Sequence, residues 1–288
     1  MSRYVQSLIT LDRSNATFTP EQGLIRIPLD SVKFAIGTEV CLARCSIPVS
    51  WHNISTAQGN NTFSYRINAT VFPVFMPDST YSLLPAGQGN SIDAYLQYVM
   101  KLNGHYLIDN TGTERYYLSI VANLSSYRVT VGFTVVPAVL PVGWSDPAGF
   151  IAAFANFAPQ LVTDASDFNV VIGSAKNTTY PVTNNVSGSI DLPNVPDVST
   201  ISVLNFSCNM ISNHFVNNQY LYSEPASASF GSYQIIQPNF ELWQQIVDQR
   251  YSEIVIQLID AKNRPIVYQD TDISLSLFIR YPTSDRSA

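Results

Sequence analysis

The sequence predicts an all-β protein, an antiparallel sandwich or barrel interrupted by a large insertion. Three observations carry this: a long series of short β-type runs, turn residues between nearly all of them, and a middle stretch (68–200) unlike either end. Short apolar or alternating runs punctuated by Gly, Pro, Asn and Asp are the mark of antiparallel sheets. The chain has 288 residues, beyond the ~250 at which a single core usually stops growing. One main domain with an insertion, or two domains, is therefore expected.

The first runs are YVQSLITL (4–11), LIRIPL (24–29), EVCLARCSI (39–47) and NTFSYRI (61–67). YYLSIVA (116–122), YRVTVGFTVV (127–136) and FNVVIG (168–173) follow, then ISVLNFSCNM (201–210) and SYQII (232–236). SEIVIQLI (252–259) and DISLSLFIR (272–280) close the series. In the last run Ile273, Leu275, Leu277 and Ile279 share one face and Ser274, Ser276, Phe278 and Arg280 the other. That period of two buries a single face. In SEIVIQLI, Ile254, Ile256 and Leu258 alternate with Val255, Gln257 and Ile259; apolar on both sides, it belongs in the middle of a sheet. The loop AKNRP (261–265) ends in a proline that cannot donate to a ladder.

Helices are fewer. In NSIDAYLQYVMKLNG (90–104), Ser91 is placed as a cap, and Ile92, Tyr95, Leu96, Val99 and Met100 form a stripe at helical spacing. Gly104 is placed to end it. A shorter helix is expected in NFELWQQIVDQR (239–250), capped by Asn239, and another in AGFIAAFANFA (148–158).

Composition separates the middle from the ends. Residues 68–200 hold four basic and nine acidic side chains, against eleven and twelve in the flanks. They also hold Pro/Gly-rich tracts such as VPAVLPVGWSDPAGF. A scaffold of residues 1–67 and 201–288, about eight strands, with 68–200 as an acidic insertion, is the simplest account.

Charged residues make up only 12% of the chain, about half the ~25% typical of soluble domains. Such a surface is coated with uncharged polar groups or covered by partners. The net charge of −6 argues against a dedicated nucleic-acid binder, whose affinity rests on neutralising phosphates. No stretch reaches the ~18 apolar residues of a membrane span. Gln6, Ser7 and Thr10 interrupt what would be the apolar core of a secretory signal, so the eight Asn-x-Ser/Thr sequons read as by-products of composition. Cys41 and Cys45, on one strand face, would have Cα atoms roughly 13 Å apart, beyond the ~7 Å a disulfide spans. With Cys208 they are expected as small core residues of a reduced intracellular protein.

No constellation of reactive residues stands out. His52, His105 and His214 have no His or Cys partner at ligand spacing and read as polar loop residues. Asp270 and Asp272 read as solvated turn acids rather than a glycosidase pair. The nucleophile elbow, phosphate-binding loop and zinc-helix motifs are absent. The 16 Tyr, 15 Phe and 3 Trp could stack on sugars but are more simply core and interface filling. No catalytic, cofactor-binding or metal-ligating residue is assigned, and the chain is read as non-enzymatic.

Certain stretches do match a known pattern. CSIPVSWHNISTAQGNNTFSYRI (45–67) resembles the "siP-x-s-x-x-NI … NN-x-F" stretch of penton, or minor capsid, proteins of virophages and Maverick/Polinton elements. LLPAGQGNSIDAYLQYVMKLNG (83–104) is similar to their helix entry, without the Tyr after the Gly, and SDPAGF (145–150) to their "LGF". Residues 207–280 follow the family's order of a strand, a "G-x-x-i-x-y-x-P" segment, a short helix, "i-x-i-x-l-x-D-x-x-g-x-p-i" and a final strand. Asp260 and Pro265 fall on that pattern, and Asn263–Arg264 replaces its Gly.

The resemblance implies a single jelly-roll β-sandwich with an outward-projecting, mainly β insertion containing one or two helices. It implies a homopentamer at the fivefold vertices of an icosahedral double-stranded DNA capsid, among trimers of a double-jelly-roll major capsid protein. The location would be the virion, assembled inside the host cell, with the insertion in reach of the host surface. In a five-membered ring each subunit buries two different flanks, which favours uncharged surface. Arg3, Arg13, Arg280 and Arg286 could face neighbouring capsomers or DNA, or simply solvent. DISLSLFIR is expected beside YVQSLITL, closing the sandwich that the first residues open. The alternatives are a carbohydrate- or receptor-binding jelly roll of the virion surface, using Trp144 or Tyr-rich loops, and a β-sandwich hydrolase.

Overall fold

A strand with one apolar face and unsatisfied backbone on both edges needs a neighbour on each side, and the last strand of this chain has two. The structure is a computed structural model describing residues 4–12, 14–199, 201–211 and 219–282. His214, Arg3, Arg13 and Arg286 lie outside the described residues. Contacts divide the chain into a scaffold, Met1–Trp51 with Ile201–Ala288, and an insert, His52–Thr200.

The scaffold opens with β1 (Tyr4–Leu11), β2 (Thr17–Thr19), β3 (Leu24–Lys33) and β4 (Glu39–Pro48). The strands of the insert intervene. The scaffold then resumes with β14 (Val203–Cys208), β15 (Tyr220–Pro225), β16 (Tyr233–Ile236), β17 (Gln244–Gln245), β18 (Arg250–Ile259) and β19 (Ser274–Pro282). One sheet runs β1-β19-β4-β16, with β17 also on β4; the other runs β15-β14-β18-β3-β2. The pairs are nested and antiparallel: β1 with β19, β3 with β18, β4 with β16 and β14 with β15. First with last and so inward through eight principal strands is the pairing of a jelly roll.

The pairing of DISLSLFIR with YVQSLITL is the one expected of a jelly roll closed by its two ends. Tyr4 stands opposite Pro282, and Thr10 opposite Ser276 with their hydroxyls 3.4 Å apart. Ser7 and Tyr281 share a hydroxyl bond of 2.7 Å. β18 is the middle strand of its sheet, as expected, although only its Ile254, Ile256 and Leu258 face is fully buried and Val255 and Gln257 are half-buried. Leu275, Leu277 and Ile279 meet Val40, Leu42 and Cys45 of one sheet and Ile254, Ile256, Phe206 and Ile25 of the other in a single core. All three cysteines are buried free thiols.

The turn between β18 and β19 is closed by Asp260 and accommodates Asn263. The Asp260 carboxylate accepts from the backbone N–H of Lys262 (2.8 Å) and Arg264 (2.9 Å) and pairs with the Arg264 guanidinium at 2.8 Å. Asn263 sits at φ +61°, in the left-handed region where Gly is the usual choice and Asn the next best.

The insert contains β5 (Thr62–Ile67), β6 (Thr70–Phe75), β7 (Leu107–Ile108), β8 (Glu114–Arg115) and β9 (Leu118–Asn123). β10 (Arg128–Phe133), β11 (Gln160–Val162), β12 (Thr179–Tyr180) and β13 (Gly188–Asp191) complete it. They form sheets β12-β11-β5-β6 and β13-β10-β9 and the pair β7-β8. Helix α1 (Ile92–Leu102) is capped as expected, the Ser91 hydroxyl accepting from Ala94 N–H at 3.1 Å. Gly104, at φ +74°, ends it where a Cβ would lie 2.6 Å from that of Ala148. α2 (Phe150–Phe154) falls in the expected 148–158 stretch.

Four expectations are corrected. Residues 52–67 belong to the insert: β5 pairs with β6 and β11, not with a scaffold strand. No helix forms in 239–250; β16 leaves the edge of β4, and Gln244–Gln245 return to pair with Val40 and Glu39 there. Backbone groups of an edge strand outweighed the local helical pattern. FNVVIG is α3 (Phe168–Ile172), not a strand, ended by Gly173 at φ +74°; short apolar runs carry no period that tells the two apart. It makes a third helix in the insert, one beyond the number expected.

Candidate interaction surface

The residues with reactive side chains are structural in their contacts. His105, expected in a polar loop, is buried in the insert at 5% exposure. Its Nδ1 lies 2.8 Å from the Tyr65 hydroxyl, which also accepts from Asn103 Nδ2 at 2.8 Å. The rings of Phe72, Phe150 and Phe154 surround it. Burial lowers the His105 pKa to about 4 and raises that of Tyr65 to about 12. The imidazole is thus held neutral. Asp93, also buried, accepts from Ile120 N–H (2.9 Å), Ala86 N–H (3.0 Å) and Gln97 Nε2 (3.0 Å). Burial pushes its pKa up despite those donors. It fastens α1 to β9 and the preceding loop.

Asp270 and Asp272 are committed to a turn, Asp270 accepting from Asp272 N–H at 2.9 Å and Asp272 from the Tyr233 hydroxyl at 2.8 Å. Burial drives all three thiols up, those of Cys41 and Cys208 to about 11. Among the described residues no group of three His, Cys, Asp or Glu side chains is placed to hold a metal ion. Trp144 packs against the insert core and Trp51 against the scaffold core.

What distinguishes the scaffold surface is the contrast between its two sheets. The outer face of β15-β14-β18-β3-β2 is polar: Arg26 pairs with Glu253 at 2.8 Å beside a shallow cleft of about 260 Å³ lined by Thr17, Pro28 and Ser252. Among the described residues no strand of that sheet carries an exposed large apolar side chain. The other sheet carries them at both edges. On β1, Tyr4, Val5 and Leu8 are exposed (Leu8 58%); on β16, Tyr233 and Ile235 (Ile235 60%). Phe240 and Leu242, in the bulge between β16 and β17, are exposed too.

Register explains the placement. Leu8 stands opposite Phe278, and Ile235 opposite Ser46. These positions face away from the core because the next residue along each strand, Leu277 before Phe278 and Ile236 after Ile235, is buried in it. Arg280 ties this face together at one end. Its guanidinium lies 4.6 Å from the Tyr4 ring centre and 4.1 Å from that of Trp243, and its Nε donates to Glu39 at 2.5 Å. Arg280 is therefore committed within the scaffold. The sequence reading missed this surface, although one signal for it was present: YVQSLITL contains no charge and no proline, the devices that usually guard an edge strand.

No protein-family model and no curated protein sequence matches the chain. Among solved structures, it is similar to the SeMet-labelled mavirus penton protein, with a TM-score of 0.45 and 10% identity over 97% of this chain and 99% of that one. A likeness that distant does not bear on function.

Proposed function

We propose that the protein is a non-enzymatic structural capsid protein that assembles into a homopentamer at the vertices of an icosahedral double-stranded DNA virus. The observation that carries this reading is a jelly roll closed by its own two ends, with one outer sheet face polar and the other apolar at both edges. A monomer with no partner has no use for such edges, and large exposed apolar patches mark contact sites. The low charge content fits surfaces that end up covered, since charged residues are depleted at the centres of interfaces. The penton-like stretches at 45–67 and 207–280 supply the capsid context, the neighbouring double-jelly-roll trimers and a location in the virion. The acidic insert is then the part offered to the outside.

Negative-stain electron microscopy of the purified protein tests this. Fivefold rings are expected; a field of isolated single subunits at micromolar concentration would count against the proposal.

A further inference from the structure

The two apolar rims of the β1-β19-β4-β16 sheet differ from each other, and that difference specifies a contact. One rim is β1, an edge strand of eight residues without charge or proline, exposing Tyr4, Val5 and Leu8. The other is β16 and the bulge after it, exposing Tyr233, Ile235 and Phe240. They lie on opposite edges of the same sheet. With Leu242 and the nearby Phe230, the exposed fractions amount to on the order of 800 Å² of apolar surface, taking ~150–250 Å² for a whole aromatic side chain. A standard specific interface of ~1,600 Å² is ~57% apolar, or about 900 Å². One rim of each kind therefore supplies the apolar content of one such interface and leaves none of it open in a closed ring.

We infer that the β1 rim of one copy packs against the β16–β17 rim of the next copy of the same chain. The contact is heterologous: each subunit uses one rim on one neighbour and the other rim on the second, which is the arrangement a closed ring requires. An isologous pairing would bury one rim against its own copy and leave the other open: about a third of the apolar area buried with β1 on β1, about two thirds with the β16–β17 rim on itself. This inference rests on the self-assembly proposed above and names the surfaces that perform it.

The test uses full-length chains and native mass spectrometry. Leu8→Asp spoils the β1 rim and Ile235→Asp the β16 rim; both side chains are exposed, so near-ultraviolet circular dichroism should match the wild type. Each variant alone is expected to lose the ring and run as a single chain. Mixed in equal amounts, they are expected to form a two-chain species and nothing larger, because each retains the rim the other lacks. Rings that persist in either variant, a dimer formed by one variant alone, or a mixture that stays monomeric would each overturn the rim assignment while the wild-type ring stands. A wild-type protein that never leaves the monomer would instead overturn the self-assembly on which it rests.

Discussion

The scaffold and the insert are both mainly β, yet they are held together differently. The scaffold joins strands far apart in sequence, β1 to β19 above all, around a core of Ile, Leu and Val with, among the described residues, four buried polar side chains. The insert pairs strands mostly with near neighbours, as in the β5–β6 and β9–β10 hairpins. Its described residues bury ten polar side chains among stacked rings such as Phe63 on Phe168 at 4.5 Å. An aliphatic core is insensitive to pH and intolerant of charge; a core of rings and hydrogen bonds is specific but exposed to protonation. One chain thus combines a sandwich closed by non-local pairing with a polar-cored module, and the two should answer to different perturbations.

The largest effect is expected from Leu277→Asp. Leu277 is fully buried on β19, and a carboxylate there has no partner, so a loss of at least about 4 kcal/mol is predicted. Calorimetry should show the scaffold transition abolished while that of the insert survives. Loss of both together would break the distinction between the two units.

Acid is the complementary probe. His105 is neutral when folded, with a pKa of about 4 against 6.5 for the free side chain. Between those values the unfolded chain binds the proton and the folded chain does not, so stability is complete above pH 6.5 and declines as pH falls toward 4. The loss is predicted at about 3 kcal/mol, confined to the insert transition and absent in His105→Phe. An acid shift of equal size in that variant would remove His105 from the explanation.

Smaller effects sharpen the picture of the scaffold. Arg280→Ala removes an ion pair and two ring contacts, but the guanidinium is partly solvated, so about 1 kcal/mol is expected in urea titrations. Asn263→Gly should change stability by no more than about 0.5 kcal/mol, because its positive φ suits glycine while the hydroxyl bond from Tyr220 is lost.

Much of this architecture was legible in the sequence, because alternation is a direct consequence of strand geometry. The faces of β19, the central place of β18 and the cap and stripe of α1 all follow from periods of two and 3.6. Of the eight runs expected in the scaffold, seven are among its ten described strands. β5 belongs to the insert, and β15 (YLYSEP) takes its place in the nest; its short run, ended by Pro225, carries little alternation. β6 escaped notice because Pro73 argues against a strand, yet β6 lies at a sheet edge, where proline is tolerated. The apolar rims were illegible for another reason. Alternation shows which side chains share a face, but exposure depends on which strands end up at the edges, and that is a property of the whole topology.

The closure of the sandwich by its own ends can be tested by a covalent link. Thr10 and Ser276 face each other across β1 and β19 with hydroxyls 3.4 Å apart, and the three native thiols are buried. In the oxidised double variant Thr10→Cys/Ser276→Cys, peptide mapping should find a bond between positions 10 and 276, and closing so long a loop should raise the melting temperature reversibly. Failure of that link to form under oxidation, with both new thiols remaining free, would contradict the pairing of head and tail.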